Sequence, residues 1–300
     1  MCDATKVEGG DTVGFNKKQI MKLAQKMAVN YYRAKLNLLA LVSKERAAKA
    51  AFKLFSTPIR KTKKKWPAVF GKAERLHFML GNKKIRGYRF NKGGVKKVLI
   101  IHGFESSVRN FDQYIHPLLK KDYEVLAFDA PGHGDSDGKR IILPMYLDMI
   151  AAVYHQYGPI DSFMAHSFGG IALVHFLETI ATTPQLKVAL LAPMTETTTA
   201  IDSFFDFLKI DTEVRAPFEN IITAIRGMPP SHYSTARALS LINAAVFWVH
   251  DEEDDITPYA DVVPVIEKQY PHVSFLITKG LGHRRIYRDT KIVKAIVDFL

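Results

Sequence analysis

One serine in the sequence has surroundings that suit nucleophilic chemistry. Ser167 follows an apolar run, residues 163–165, and precedes residues 171–180, which have the composition of a helix. A sharp turn between a strand and a helix would expose the Ser167 hydroxyl above the end of a sheet. Such a turn needs small residues two positions before and after the serine, and here these are Ala165 and Gly169. Ser167 is therefore a candidate nucleophile; the alternative is an ordinary serine cap at the start of a helix.

A second candidate feature is the tripeptide His102-Gly103-Phe104, which follows the apolar run 98–101. A glycine at this point lets the backbone turn so that the Phe104 N–H can point at a substrate oxygen. The Phe168 N–H, directly after the candidate nucleophile, would be the second donor. Two such donors form an oxyanion hole, in which each contributes about 10²–10³ in rate. The alternative is a plain turn that ends a strand.

An acidic cluster, residues 251–255, follows the apolar run 246–249 and is followed by Thr257-Pro258. Most clusters of this kind are solvated loops. A cluster directly after a buried strand can nevertheless turn one carboxylate inward. A metal site would need further Asp, Glu or His ligands, and no second cluster obviously supplies them, so no metal is predicted.

A histidine near the end of the sequence completes the set. His283 follows the apolar run 273–277 and lies next to Gly282, with Gly280 two residues earlier. Flanking glycines leave the imidazole free to reach over the edge of a sheet. His283 is therefore a candidate general base.

Eight short apolar segments alternate with helical patterns after residue 66. This order predicts an α/β fold with a mostly parallel eight-stranded sheet flanked by helices, opened by a hairpin around Gly81-Asn82. In such sheets functional groups gather beyond the carboxyl ends of the strands, where all four features above fall. The predicted strands are 75–80, 84–90, 98–102, 123–128, 160–164, 186–191, 244–249 and 273–277, and the predicted helices are 111–120, 143–157, 170–180, 261–270 and 290–300.

Residues 194–243 interrupt this alternation with an apolar insertion that is too long for a simple connection. We interpret it as a small helical cap over the strand ends, with phenylalanines that contact an apolar substrate. The alternative is a set of extra helices on the flank of the sheet. The predicted substrate contacts are Phe204, Phe205, Phe207 and Phe218.

The net charge of +12 belongs to the N-terminal part of the chain. Residues 1–65 hold 16 Lys+Arg and 4 Asp+Glu, whereas the rest of the chain holds equal numbers of each. Apolar residues at spacings of three and four predict an amphipathic helix from Lys17, and Ser43 can cap a second helix over residues 44–55. We expect these helices to pack on the body, with the lysines in solvent. The alternative is a peripheral contact of residues 17–65, which end in the basic run at 60–65, with an anionic membrane.

The remaining composition limits the class of protein. No nucleic-acid-binding module accompanies the basic charge, so no nucleic acid is expected as a partner. Cys2 is the only cysteine, which excludes an internal disulfide and fits a reducing compartment. The sequence has no apolar stretch of about 18 residues and no signal-peptide pattern. We therefore expect a cytoplasmic protein that needs no cofactor.

The order of these features along the chain resembles a known superfamily. Serine, then acid, then histidine, each at a strand end, is the triad order of the α/β hydrolases, and residues 75–300 resemble that superfamily. The segment Asp129-Ala-Pro-Gly-His-Gly-Asp-Ser136 is also similar to its pattern. The resemblance implies Ser167 as nucleophile, His283 as base and Asp254, four residues before Pro258, as the acid. Asp251 and Asp255 are the alternatives for the acid.

The resemblance also implies an activity. It favours a serine hydrolase of the carboxylesterase or lipase kind that acts on an ester with an apolar acyl group. The hydrolase domain is expected at residues 66–300, behind an N-terminal extension at residues 1–65. Thioesterases, acyltransferases and carbon–carbon bond hydrolases share the triad, so these alternatives stay open. An alternative from another class is a non-catalytic binding protein that works through its basic N-terminal arm.

Overall fold

The structure is a computed structural model that describes residues 17–59 and 66–300, with side chains from residue 25 onward. The basic run at 60–65 lies outside the described residues. Two helices come first, α1 (Lys17–Val42) and α2 (Lys44–Phe55). Ser43 alone separates them, and its hydroxyl accepts a hydrogen bond from the Arg46 amide at 3.3 Å. The predicted serine cap and both predicted helices are therefore confirmed.

The centre of the molecule is one eight-stranded sheet with the strand order β1-β2-β4-β3-β5-β6-β7-β8. Strands β1 and β2 form an antiparallel hairpin, β2 also pairs antiparallel with β4, and all other pairs are parallel. The predicted fold class is confirmed. The strands are β1 (Glu74–Leu80), β2 (Lys83–Phe90), β3 (Lys96–Ile101), β4 (Tyr123–Phe128), β5 (Ser162–His166), β6 (Lys187–Leu191), β7 (Ala245–Asp251) and β8 (Val273–Thr278).

Helices cover both faces of the sheet, because side chains in a strand point alternately to opposite sides. In β3, Leu99 and Ile101 belong to the core on one face, together with α4 and α5. Val98 and Ile100 belong to the core on the other face, together with α3 and α11. The helices after β3 are α3 (Asp112–Lys120), α4 (Leu143–Tyr157), α5 (Phe168–Leu177), α6 (Thr197–Leu208), α7 (Arg215–Arg226), α8 (Thr235–Ala238), α9 (Val263–Glu267), α10 (Gly282–Arg285) and α11 (Thr290–Phe299).

Three predicted boundaries are wrong in ways that matter for the site. Strand β5 begins and ends two residues later than the predicted 160–164, so it leads directly into Ser167. Helix α5 begins at Phe168 instead of residue 170, because the glycines belong to its first turn. Strand β7 continues through Asp251, so the acidic cluster begins inside the sheet. Helix α9 is also shorter than the predicted 261–270.

The insertion between β6 and β7 contains α6, α7 and α8, as predicted for its helical character. Its two ends lie side by side, since Glu196 and Ser234 form an isolated antiparallel bridge and the Thr235 amide donates to the Thr195 carbonyl at 2.8 Å. The outer helices α6 and α7 share a hydrophobic cluster with α1 and α2, separate from the two cores of the sheet. The N-terminal helices thus pack on the insertion. The domain boundary at residue 65 stays a prediction.

No helix in the described ranges combines the length and the apolar character that crossing a membrane requires.

Candidate active site

Ser167 lies in a strained turn between β5 and α5. Its backbone has φ 55° and ψ −125°, in a region that L-residues rarely adopt and that is typically found at functional sites. Two backbone segments, residues 102–103 and residues 167–169, pack closely at this turn. A Cβ at Gly169 would lie 2.5 Å from the His102 carbonyl oxygen, and a Cβ at Gly103 would lie 2.8 Å from the Ser167 Cβ. The predicted small residue at 169 is therefore required by the geometry.

The structure brings the three sequence-predicted polar residues together. The Ser167 Oγ lies 2.9 Å from His283 Nε2, and His283 Nδ1 lies 2.8 Å from Asp254 Oδ2. All three residues are buried. Because a carboxylate can only accept a hydrogen bond, Nδ1 carries the imidazole proton and Nε2 is free to accept the serine proton. This is the geometry of a nucleophile, a base and an orienting acid.

The Asp254 carboxylate is held by four donors. Its Oδ1 accepts the amide hydrogens of Ile256 and Thr257, and its Oδ2 accepts the Thr257 hydroxyl in addition to His283. Burial by itself would raise the pKa of Asp254, but the hydrogen bond and charge of His283 and the two amides outweigh it and lower that pKa below its usual value. Asp254 is therefore a carboxylate at neutral pH. Sequence reasoning missed Thr257 as its partner, although the Asp-x-x-Thr spacing of a turn was a usable signal.

The other two candidate acids do not contact the imidazole. Asp251 is fully buried and accepts hydrogen bonds from the Thr278 hydroxyl at 2.6 Å and the Leu281 amide at 3.0 Å. It thereby links the end of β7 to the segment that carries His283. Asp255 is exposed to solvent. Of the three acids, only Asp254 is positioned to orient His283.

The two amides predicted for an oxyanion hole flank Ser167. Phe168 is the first residue of α5, so its N–H is one of the free donors at the positive end of a helix. Phe104 follows Gly103 at the end of β3. Within the described chain, neither amide forms a hydrogen bond to another protein group. The two rings pack edge to face with centroids 6.1 Å apart. Their role as an oxyanion hole stays a prediction.

The structure also contains a buried polar network around the loop of Phe104, which the sequence did not predict. The Ala130 amide donates to His102 Nε2 at 2.9 Å, and the Glu105 amide donates to His133 Nε2 at 3.0 Å. Burial lowers the pKa of each of these histidines to about 4, so both rings are neutral and use Nδ1–H to donate to backbone carbonyls. The Asp129 carboxylate accepts from two further amides, and burial raises its pKa. These groups fix the loops on which Phe104 stands.

His166 contacts the proposed base from its other side. Its ring centroid lies 4.8 Å from that of His283, and its Nε2 lies 3.3 Å from the His283 carbonyl oxygen. Burial and the neighbouring His283 hold the pKa of His166 well below its usual value, so the ring is neutral. His166 is therefore a positioning group for the segment of His283. The sequence suggested no such contact, because it joins residues 117 positions apart.

The phenylalanines predicted to bind substrate have other surroundings. Phe218 is fully buried, and its ring packs edge to face against Phe52 and Phe55 of α2 at 5.7 and 5.6 Å. Phe204 and Phe205 pack in the same cluster, whereas Phe207 is 64% exposed. Their described contacts join the insertion to the N-terminal helices, because the apolar face of the insertion turns toward α1 and α2. A role for these four residues in binding substrate stays a prediction.

The described residues contain one group of potential metal ligands, His175, Glu178 and His232. The Arg237 guanidinium lies among them and donates to both Glu178 oxygens, at 2.7 and 2.8 Å. A bound cation would have to displace this charge. The cluster is therefore an ion pair within the fold and is separate from Ser167.

Comparisons with known proteins bear on the fold. Residues 95–219 match the model of a family described as serine aminopeptidase S33. An esterase of Pyrococcus furiosus is similar in structure, with a TM-score of 0.61 and 20% identity over 82% of this chain and 97% of that one. Est1E from Butyrivibrio proteoclasticus, solved with ferulic acid, has a TM-score of 0.57 and 21% identity over 75% and 97% of the two chains.

A third similar structure is the thioesterase domain from the curacin biosynthetic pathway, with a TM-score of 0.55 and 16% identity over 75% and 98% of the two chains. No curated protein sequence matches significantly. The sheet order and the similar solved structures define the class at the level of the fold: the chain has the α/β-hydrolase fold, and residues 95–219 match one family of hydrolases. The matches support a hydrolase.

Proposed function

We propose that this protein is a serine hydrolase that cleaves a carboxylic ester with an apolar acyl group. The observation that carries the proposal is the chain of short contacts from Ser167 Oγ to His283 Nε2, 2.9 Å, and from His283 Nδ1 to Asp254 Oδ2, 2.8 Å. A binding protein has no need of this aligned relay with a serine in a strained turn.

The reaction follows from the protonation states of these groups. His283 Nε2 takes the Ser167 proton as Oγ attacks the acyl carbon, and the Phe104 and Phe168 amides donate to the oxyanion that forms. The intermediate then expels the alcohol, which takes its proton from His283. Water, deprotonated by the same nitrogen, attacks the acyl-enzyme and releases the acid. Asp254 holds the imidazole tautomer and stabilises its charge in both steps.

The preference for an apolar acyl group rests on the side chains beside the nucleophile. Phe104 and Phe168, whose amides are the proposed oxyanion donors, are each half-buried, and their rings pack edge to face with centroids 6.1 Å apart. The Tyr146 ring packs against Phe168 with centroids 5.8 Å apart. An aromatic wall of this kind favours a hydrocarbon chain, whose burial contributes about 0.8 kcal/mol for each CH₂.

The test uses p-nitrophenyl esters of increasing chain length, with Ser167→Ala as the diagnostic variant. We expect this substitution to lower kcat by at least about 10⁴-fold while the thermal unfolding curve is unchanged. Ser240→Ala, at an exposed serine, is the matched control and should retain full activity. A fluorophosphonate probe should label the wild type at Ser167 only. Turnover that survives in Ser167→Ala would reject the proposal.

The same relay can attack thioesters and amides, and the family match favours testing the latter in particular. An acyl thioester and an aminoacyl p-nitroanilide therefore belong in the substrate panel. A higher kcat/KM for either one than for every ester would reassign the substrate and leave the serine mechanism in place. Absence of turnover and of probe labelling would favour the alternative of a binding protein that works through its basic N-terminal arm.

A further inference from the structure

Helix α1 has apolar residues on two opposite faces. On its inner face, Leu36 and Ala40 are buried in the cluster shared with α6 and α7. On its outer face, large apolar side chains recur at spacings that place them on one side of a helix. These residues are between 59% and 81% exposed, and they are Met27, Tyr31, Leu38, Leu41 and Val42. We call this set the outer stripe.

The outer stripe is held in place by the polar contacts of the inner face. Arg33 donates to the carbonyl oxygens of Leu208 and Phe207 at the end of α6, at 3.2 and 3.1 Å. The Asn37 amide donates to the Lys209 carbonyl and accepts from the Asp211 amide, both at 2.9 Å. These bonds fix the rotation of α1 about its axis, so the helix cannot turn the outer stripe inward. A row of exposed apolar side chains of this size marks an interaction surface.

The exposed charges of α1 and α2 are mostly basic, with Glu45 as the one acid among the residues whose side chains are described. On α2, Arg46, Lys49 and Lys53 are exposed and share one face of the helix, at spacings of three and four. On α1, Lys26 and Lys35 are also exposed. Among the described residues, none of these five forms an ion pair within 4 Å. The whole excess of 12 positive charges lies in residues 1–65, and the remainder of the chain is formally neutral.

We propose that the outer stripe of α1 docks onto an anionic lipid surface, with the basic residues of α1 and α2 adding electrostatic attraction. An apolar face beside basic residues is the composition of helices that lie in the membrane interface. A second copy of this chain fits less well, because two copies of the same basic hairpin would repel each other. Nucleic acid would engage the charges but would leave the apolar stripe exposed. The inference does not depend on the proposed esterase activity.

The test is co-sedimentation of the full chain with vesicles of phosphatidylcholine alone and with phosphatidylglycerol added. We expect binding to the anionic vesicles, weaker at high salt, and little binding to the neutral ones. The double variant Leu38→Asp/Leu41→Asp should lose this binding. Val95→Asp is the control for an added surface carboxylate, since Val95 is 80% exposed and lies outside α1 and α2.

A second pair of variants separates charge from apolar contact. Lys49→Gln and Lys53→Gln should each lower the affinity for anionic vesicles about fivefold, because a lysine near such a surface contributes about 1 kcal/mol. Circular dichroism should show the same helix content in all variants, as every changed residue is exposed.

Three results would overturn the proposal. The first is equal binding to neutral and anionic vesicles, or none to either. The second is full binding by Leu38→Asp/Leu41→Asp. The third is a wild-type dimer in light scattering that this double variant dissociates while vesicles bind neither form, which would assign the outer stripe to a second copy of the chain.

Discussion

Replacing Asp254 by asparagine changes a single group of the relay, and the structure indicates how the atoms will respond. Oδ1 of Asp254 accepts two backbone amides, so the amide oxygen of an asparagine takes that position. The NH₂ group then replaces Oδ2 and faces His283 Nδ1. Because NH₂ cannot accept a hydrogen bond, Nδ1 becomes the acceptor and the imidazole proton moves to Nε2. In that tautomer, His283 cannot take the Ser167 proton.

The expected loss is about 10⁴-fold in kcat, the size associated with a relay held in the wrong tautomer, and it corresponds to about 5 kcal/mol in the activation barrier. KM should change little, because Asp254 contacts His283 on the nitrogen opposite to Ser167. The measurement is the initial rate of p-nitrophenyl ester hydrolysis at saturating substrate, with circular dichroism to show that the variant is folded.

Two neighbouring acids provide controls for this prediction. Asp255→Asn changes an exposed carboxylate and should leave kcat and stability as they are. Asp251→Asn removes an acceptor of the Thr278 hydroxyl and the Leu281 amide, so it should lower the melting temperature more than kcat. The reasoning is refuted if Asp254→Asn stays within tenfold of the wild type while Asp251→Asn or Asp255→Asn loses about 10⁴-fold.

Three further predictions concern packing and pH. Gly169→Ala should lower the free energy of unfolding by about 1–3 kcal/mol and lower esterase activity, because the new Cβ would lie 2.5 Å from the His102 carbonyl oxygen. Gly71→Ala is the control and should change neither the melting temperature nor the rate, because the space around Gly71 is open. Phe218→Ala should lower the free energy of unfolding, measured in urea, by about 3–5 kcal/mol, because Phe218 is buried. Phe207→Ala, at an exposed site, should change it by no more than about 0.5 kcal/mol. Equal losses in the two variants would contradict the packing described for the N-terminal helices. Burial lowers the pKa of His102 to about 4 in the folded chain, whereas an unperturbed histidine has a pKa of about 6.5. Between these two pH values the unfolded chain therefore binds a proton at His102 that the folded chain does not bind. Stability should therefore fall as the pH is lowered from about 6.5 to about 4, and His102→Asn should make that fall shallower in urea unfolding at several pH values.

The sequence was sufficient to predict the sheet and the polar residues at its strand ends. Ser167, His283 and the acidic cluster could be found because each follows a short apolar run, and parallel strands place such positions at one edge. Residue order alone could not show which of the three acids contacts His283. It depends on the turn in which Ile256 and Thr257 present their amides to Asp254, and on the engagement of Asp251 with Thr278.

The partners of the insertion could not be predicted for a different physical reason. The spacing of apolar residues predicts that one face of a segment is buried, but it does not identify the residues that pack against that face. The sequence predicts that Phe204, Phe205 and Phe218 contact substrate, and it gives no sign that they also share a hydrophobic cluster with α1 and α2, in which Phe204 and Phe218 contact Phe55. The two segments lie far apart in the chain, and no local spacing reports a contact between them.

The separation of these partners has a consequence for synthesis on the ribosome. Arg33 of α1 contacts the Leu208 carbonyl across 175 residues, and the cluster they belong to also needs Phe218. At about 5–20 residues per second, α1 leaves the ribosome roughly 10–35 s before that partner is made. During this interval the inner face of α1 lacks its partners from α6 and α7, so the nascent helix exposes apolar residues on that face in addition to the outer stripe.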